Sequence, residues 1–143
     1  MKQVSKFVSF FLFPLTVLLV HLIASKVLNL YVLFPNLDIL SHFAGGLFNA
    51  YTSTQVLNYL EKEKITAPLN QARLLVLIFA LTATATVLWE FAEFIGDQLL
   101  NPNIQISLAN TMQDQFMGIL GGIVWILIYA KLFGKTAENC IPG

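Results

Sequence analysis

The 143-residue chain is 57% hydrophobic and only 11% charged. Soluble domains carry roughly a quarter charged residues, so an ordinary water-soluble fold is excluded and a single integral membrane domain over residues 1–143 is expected. Eight basic residues balance eight acidic ones, so the chain has no basic stripe of the kind a nucleic-acid binder needs. The single cysteine, Cys140, rules out an intrachain disulfide and reads as an incidental thiol in a polar tail.

Residues 7–25 contain one ionisable group, His21, and are long enough to cross a hydrocarbon core of about 30 Å. Lys2 and Lys6 ahead of them also suit a signal peptide. The apolar run is long for that role and no clean small-x-small cleavage site follows, so it reads as a retained first span. Residues 28–37 are short, apolar and broken by Pro35; they read as an extracytoplasmic connection lying in the interface. The second span, about 38–60, is weakly hydrophobic. At 100° per residue Asp38, His42, Gly45, Asn49, Thr52 and Ser53 share one sector. Such a polar stripe cannot face lipid and is expected to face the bundle interior.

A charged turn, Glu61 to Arg73 with Pro68 inside it, leads to a third span at about 74–97. Its first sixteen residues are uncharged, or about 24 Å of helix at ~1.5 Å per residue. Glu90 is therefore expected in the far quarter of the membrane, Glu93 near the interface and Asp97 at or beyond it. Their spacing of three and then four residues puts the three acids on one helix face. Asn101, Pro102 and Asn103 signal a turn, and Asn110 is a candidate helix N-cap. The fourth span runs from about 112 to 131. Gly118 and Gly122 form a small-xxx-small pair, a packing face within the chain or between copies in an oligomer.

Lysine and arginine set the orientation. Lys2, Lys6, Lys62, Lys64, Arg73, Lys131 and Lys135 fall on one side of the four spans and Lys26 alone on the other. The positive-inside rule then predicts an all-α, four-span membrane helix bundle with both termini cytoplasmic. In that arrangement His21, Asp38, His42, Glu90, Glu93, Asp97 and Asp114 gather at the outer face with almost no compensating base. Glu61, Glu63 and Glu138 stay beside cytoplasmic lysines and read as solvated.

Carboxylates packed without bases must be protonated, hydrated or bound to a cation. Histidine with carboxylates is a ligand set for a divalent metal, so His42, Glu90, Glu93 and Asp114 are the candidate ligands, with Asp38, Asp97, Asn110, Asn49 and His21 as a supporting polar site. The blander reading is a hydrogen-bond network that fixes helix register. It suits His21 best, and Asp38 and Asp97 equally suit helix ends facing water. An internal echo pairs spans two and four: Asp38, His42, Gly45 and Gly46 share their spacing with Asp114, Gly118, Gly121 and Gly122, as two rough hairpin repeats would.

Three stretches, residues 37–48 (LDILSHFAGGLF), 88–97 (LWEFAEFIGD) and 110–114 (NTMQD), resemble the YjdF-like family of small bacterial multi-pass membrane proteins, similar in layout to VanZ-like proteins. The resemblance covers residues 37–122. It implies a bacterial inner-membrane location and marks Asp38, His42, Glu90, Glu93, Asp97 and Asp114 as motif positions. The family usually has Asp where this chain has Asn110, which removes one charged ligand. It brings no activity with it.

Three functions follow as expectations. The first is an outward-facing His/carboxylate site for a divalent cation or a polar headgroup, acting on a lipid or another small molecule of the cell envelope. The second is a small transporter or proton-coupled channel, for which Asn49, Thr52, Ser53, Thr82 and Thr86 supply half a polar path. The third is a non-catalytic assembly protein whose polar cluster fixes packing. No nucleophile motif, phosphate loop or HExxH motif names a reaction.

Overall fold

The computed structural model describes residues 8–24, 28, 30–34, 36–100 and 107–134. Lys2, Lys6, Lys26, Pro35, Lys135, Glu138, Cys140 and the turn at Asn101, Pro102 and Asn103 lie outside the described residues. Helices α1 (Leu12–Leu22), α3 (Asn36–Lys62), α4 (Gln71–Leu100) and α5 (Leu108–Phe133) form an all-α bundle, with a single-turn helix α2 (Leu30–Leu33) before α3. Contacts at both ends give the directions. Thr52 donates to the Phe10 carbonyl and His21 meets Ser41, so α1 runs against α3. Leu57 near the end of α3 clusters with Leu74 at the start of α4. Asn110 reaches Asp38, and Trp125 reaches Thr54, so α5 runs parallel to α3.

Glycine decides how close α3 and α5 come. A Cβ at Gly46 would run into the Gly118 carbonyl, and one at Gly121 into the Phe43 carbonyl. The two backbones therefore touch, as small residues allow in membrane helix pairs. The two parallel helices sit one helical turn off the spacing repeat seen in the sequence: Asp38 meets Asn110, His42 meets Asp114 and Gly46 meets Gly118. Gly118 and Gly122 are buried against Thr86 and Thr82 of α4, so that glycine pair packs inside the chain.

Polarity is distributed inside out. Among the described residues the buried hydrophobic side chains are Ala50, Leu57, Leu74 and Ile78, whereas His21, Thr52, Thr54, Thr82, Glu90, Thr111 and Asp114 are buried and polar. Large apolar side chains such as Val76, Leu88, Phe116 and Leu127 are exposed. Water would penalise that arrangement and hydrocarbon favours it. Three threonines satisfy themselves locally: Thr54 donates to the Ala50 carbonyl, Thr82 to that of Ile78 and the half-buried Thr86 to that of Ala83, each at 2.8 Å.

The four expected spans differ in strength. Residues Gln71–Leu99 and Leu108–Phe133 are long and apolar enough to cross a membrane. Helix α3 has the length, 27 residues, but its polar stripe lowers its apolarity. Helix α1 holds 11 residues, fewer than the nineteen of the apolar run. It opens on a tighter turn, Phe11 N–H to the Val8 carbonyl at 3.1 Å, and closes on a wider one, Leu28 N–H to the Ile23 carbonyl at 3.0 Å. Pro14 sits in its first turn, where a missing N–H costs nothing.

Candidate functional site

The site lies where four helix ends meet. Helix α3 begins with Asp38, Ser41 and His42, spaced to share a face. Asp38 lies in the first helical turn, where the dipole favours a carboxylate. Helix α4, running the other way, brings Glu90 and Glu93 to the same level. Helix α5 brings Asn110 and Asp114, and α1 brings His21. Ser107 is the N-cap of α5 and accepts from the Asn110 N–H at 3.2 Å. This corrects the expectation that Asn110 caps the helix. With the cap supplied three residues earlier, the Asn110 carboxamide is free to donate to Asp38 Oδ2 at 3.4 Å and to Asp114 Oδ2 at 2.6 Å.

His42 is the hub. Its Nε2 is 3.5 Å from Asp38 Oδ1 and 3.9 Å from Asp114 Oδ2, and its Nδ1 is 3.7 Å from Glu90 Oε1. These separations are too long for good hydrogen bonds. They are slightly longer than the roughly 3.0–3.5 Å between two ligand atoms that share one ion at about 2.1 Å. His42 Nε2, Glu90 Oε1 and Asp114 Oδ1 are buried without a hydrogen-bond partner. His42, Glu90 and Asp114 each offer one ligand atom within 4.8 Å of the others, and His21, Asp38 and His42 form a second such trio. The residues therefore fit a divalent ion: one borderline nitrogen, hard oxygens, and buried atoms that nothing else satisfies.

Glu93 occupies a neighbouring layer. Its Oε1 accepts from Trp89 Nε1 at 3.0 Å and lies 3.5 Å from His21 Nε2. His21 also meets Ser41 Oγ through Nδ1 at 3.0 Å, and its ring stands edge-on to those of His42 and Trp89. Ser41 in turn donates to the Asp38 carbonyl at 2.8 Å. The structure thus joins His42, Glu90, Asp114, Asp38 and Asn110 in one cluster and His21 with Glu93 beside it. Asn49 lies two turns deeper along α3, lining a cavity, and Asp97 is half-buried nearly two turns further along α4. Ser41 and Trp89 were not foreseen as site residues. The four-residue step from Trp89 to Glu93 was the available signal for the second of them.

Charge is segregated along the bundle. Among the described residues Lys62, Lys64, Arg73 and Lys131 all lie at the opposite end. At that opposite end Trp125, Tyr129 and Ile126 pack on the apolar core.

No curated protein and no solved structure matches the chain. Residues 3–135 match the family described as "Predicted membrane protein (DUF2238)". The match spans the whole bundle and all of the clustered His and carboxylate positions, and on that ground the chain belongs to this family of predicted membrane proteins.

Proposed function

We propose that this protein is a multi-pass membrane protein that binds a divalent cation at the outer face of its bundle, through His42, Glu90 and Asp114 with Asp38 in reach. One observation carries the reading: three buried polar atoms, one on each of those ligands, have no hydrogen-bond partner. A buried group left unsatisfied costs about 1–3 kcal/mol, and more when charged. A shared ion removes that cost for all three together. When bound, such an ion supplies Lewis acidity and a more acidic water. The chain's own part is to hold the ligands: Asn110 fixes the two aspartates, and the Gly46–Gly118 contact sets the distance between the helices that bear them.

The four-span topology, cytoplasmic termini and bacterial inner-membrane location belong to this proposal and rest on the lysine and arginine distribution. The kinship with YjdF-like proteins and the layout shared with VanZ-like proteins belong to it too. A purely structural network is favoured by the Asn110 bridge, but it leaves the three unsatisfied atoms unexplained. The transporter reading is weakened from within. Thr52, Thr82 and Thr86 commit their hydroxyls to backbone carbonyls, and Ala50, Leu57, Leu74 and Ile78 close the bundle below.

The test is thermal unfolding of detergent-purified protein, stripped with chelator and then supplied with Mn²⁺, Zn²⁺ or Mg²⁺. Ligand at 100 times its Kd stabilises by about 2.7 kcal/mol. A rise in Tm with at least one ion, absent in His42→Ala and Asp114→Asn, is expected. Identical melting with and without every ion would reject the reading.

A further inference from the structure

A cavity of about 430 Å³ lies between α1, α3 and α4, within the range of roughly 300–1,000 Å³ typical of small-ligand sites. Its walls are apolar over most of their length: Phe11, Pro14, Leu15 and Leu18 from α1, Ala85 and Leu88 from α4. Gly45 lies on its α3 side, and a Cβ there would meet nothing nearer than Val17 Cγ1 at 4.0 Å. Most of its polar side chains lie at one end, where His21, Ser41, His42 and Trp89 line it, with Thr86 and Asn49 further along. The His42 side chain is only 8% exposed and its Nε2 has no hydrogen-bond partner. Leu15 and Leu88, on opposite walls, are 54% and 59% exposed, so the rim is continuous with the bundle's apolar skin.

Length fits an occupant that comes from the bilayer. From His21 down to Phe11 the helix rises about 15 Å at ~1.5 Å per residue, close to half of a hydrocarbon core of about 30 Å. The cavity therefore runs from the interface to mid-membrane, the course of a lipid chain in one leaflet. The head end is acidic. Glu93 backs the lining residues His21 and Trp89, and Asp38, Glu90 and Asp114 back His42, while no Lys or Arg among the described residues lies at this end. One divalent ion on His42, Glu90 and Asp114 leaves Glu93, already oriented by Trp89, to meet a second positive charge beside an aromatic ring.

We propose that this cavity seats one acyl chain of a phospholipid whose headgroup carries a primary amine, with the ammonium held at Glu93, Trp89 and His21. The site opens sideways between α1 and α4 and shares His42 alone, among the ion ligands, with its lining. The proposal rests on the membrane reading and does not require the ion.

The test uses Trp125→Phe protein, in which Trp89 is the remaining tryptophan and one hydrogen bond, to Thr54, is lost. In detergent it is titrated with chain-brominated phosphatidylethanolamine or phosphatidylglycerol while Trp89 fluorescence is read. Saturable quenching by the amine lipid is expected at about tenfold lower concentration than by the glycerol lipid, the size of one charge-assisted hydrogen bond. Glu93→Gln removes the preference and keeps the quenching. Gly45→Leu, or Ala85→Leu should the first not fold, fills the cavity and removes the quenching while the metal-dependent Tm shift stays. Equal quenching by both lipids, no quenching, or full quenching in folded filled variants would each overturn the proposal. Amine-selective quenching without any metal effect on Tm would leave it standing and remove the ion reading instead.

Discussion

Gly45 and Gly46 are neighbours in sequence, yet alanine has opposite consequences at the two positions. A methyl group at Gly46 would overlap the Gly118 carbonyl and lie 2.8 Å from Gly118 Cα. Carbon atoms sit comfortably at about 3.5–4.0 Å, and a helix backbone cannot step aside as a side chain can. Helices α3 and α5 must therefore part by roughly 1 Å, an overpacking that costs about 1–3 kcal/mol. The same parting lengthens the His42–Asp114 contact, already 3.9 Å, and pulls on the Asn110 bridge. At Gly45 the added methyl makes only an ordinary contact, 4.0 Å from Val17 Cγ1, and alanine favours a helix over glycine by up to ~1 kcal/mol. Tm in detergent, read with and without divalent ion, is the assay. At about 2–4 °C per kcal/mol for a chain of this size, Gly46→Ala melts several degrees lower and loses the metal response. Gly45→Ala melts at or above the parent temperature and keeps it. A Gly46→Ala protein that melts and binds like the parent would refute the backbone contact as the determinant of the site.

Three further outcomes are expected. Asn110→Asp adds a carboxylate beside Asp38 and Asp114; it lowers Tm in chelator and raises ion affinity, so that the metal-induced Tm shift exceeds that of the parent. Glu90→Gln keeps the shape but replaces a charged oxygen facing His42, and isothermal titration shows ion affinity falling at least about tenfold, on the scale seen when groups around a metal are altered, with the fold retained by circular dichroism. Cys140, the natural single cysteine, reacts with a membrane-impermeant maleimide only after cells are broken open, as a cytoplasmic C-terminus requires; labelling of intact cells would reverse the topology.

Much of this arrangement was legible in the chain. Four apolar or amphipathic runs fixed the helices, and alternating direction alone brings His42, Glu90 and Asp114 to one end. The division of labour between Glu90 and Glu93 was not legible. Three residues on a helix turn through 300°, so the two acids differ by about 60° around the α4 axis. That suffices to turn Glu90 toward α3 and α5 and Glu93 toward His21 of α1, and only the packing of α1 decides it. The N-cap of α5 was similarly ambiguous, because Ser107 and Asn110 are both good caps; once Ser107 takes the role, Asn110 becomes a bridge between aspartates. Ser41 was hidden by its neighbour, since nothing in the sequence pairs it with a histidine twenty residues away across a turn. Among the described residues the regular α-helix of α1 is shorter than the apolar run, with a tighter turn at its start and a wider one at its end.

Metal stoichiometry tests the central claim most directly. Detergent-purified protein is stripped, dialysed against Mn²⁺ at micromolar concentration and measured for bound metal per chain by atomic emission, with the Mn²⁺ resonance reporting its surroundings. One tightly held ion per chain is predicted, lost in His42→Ala and in Asp114→Asn while the helical content of both variants is retained. Parent protein that retains no more Mn²⁺, Zn²⁺ or Mg²⁺ than the two variants would contradict the account and leave the buried histidine and carboxylates as a structural network.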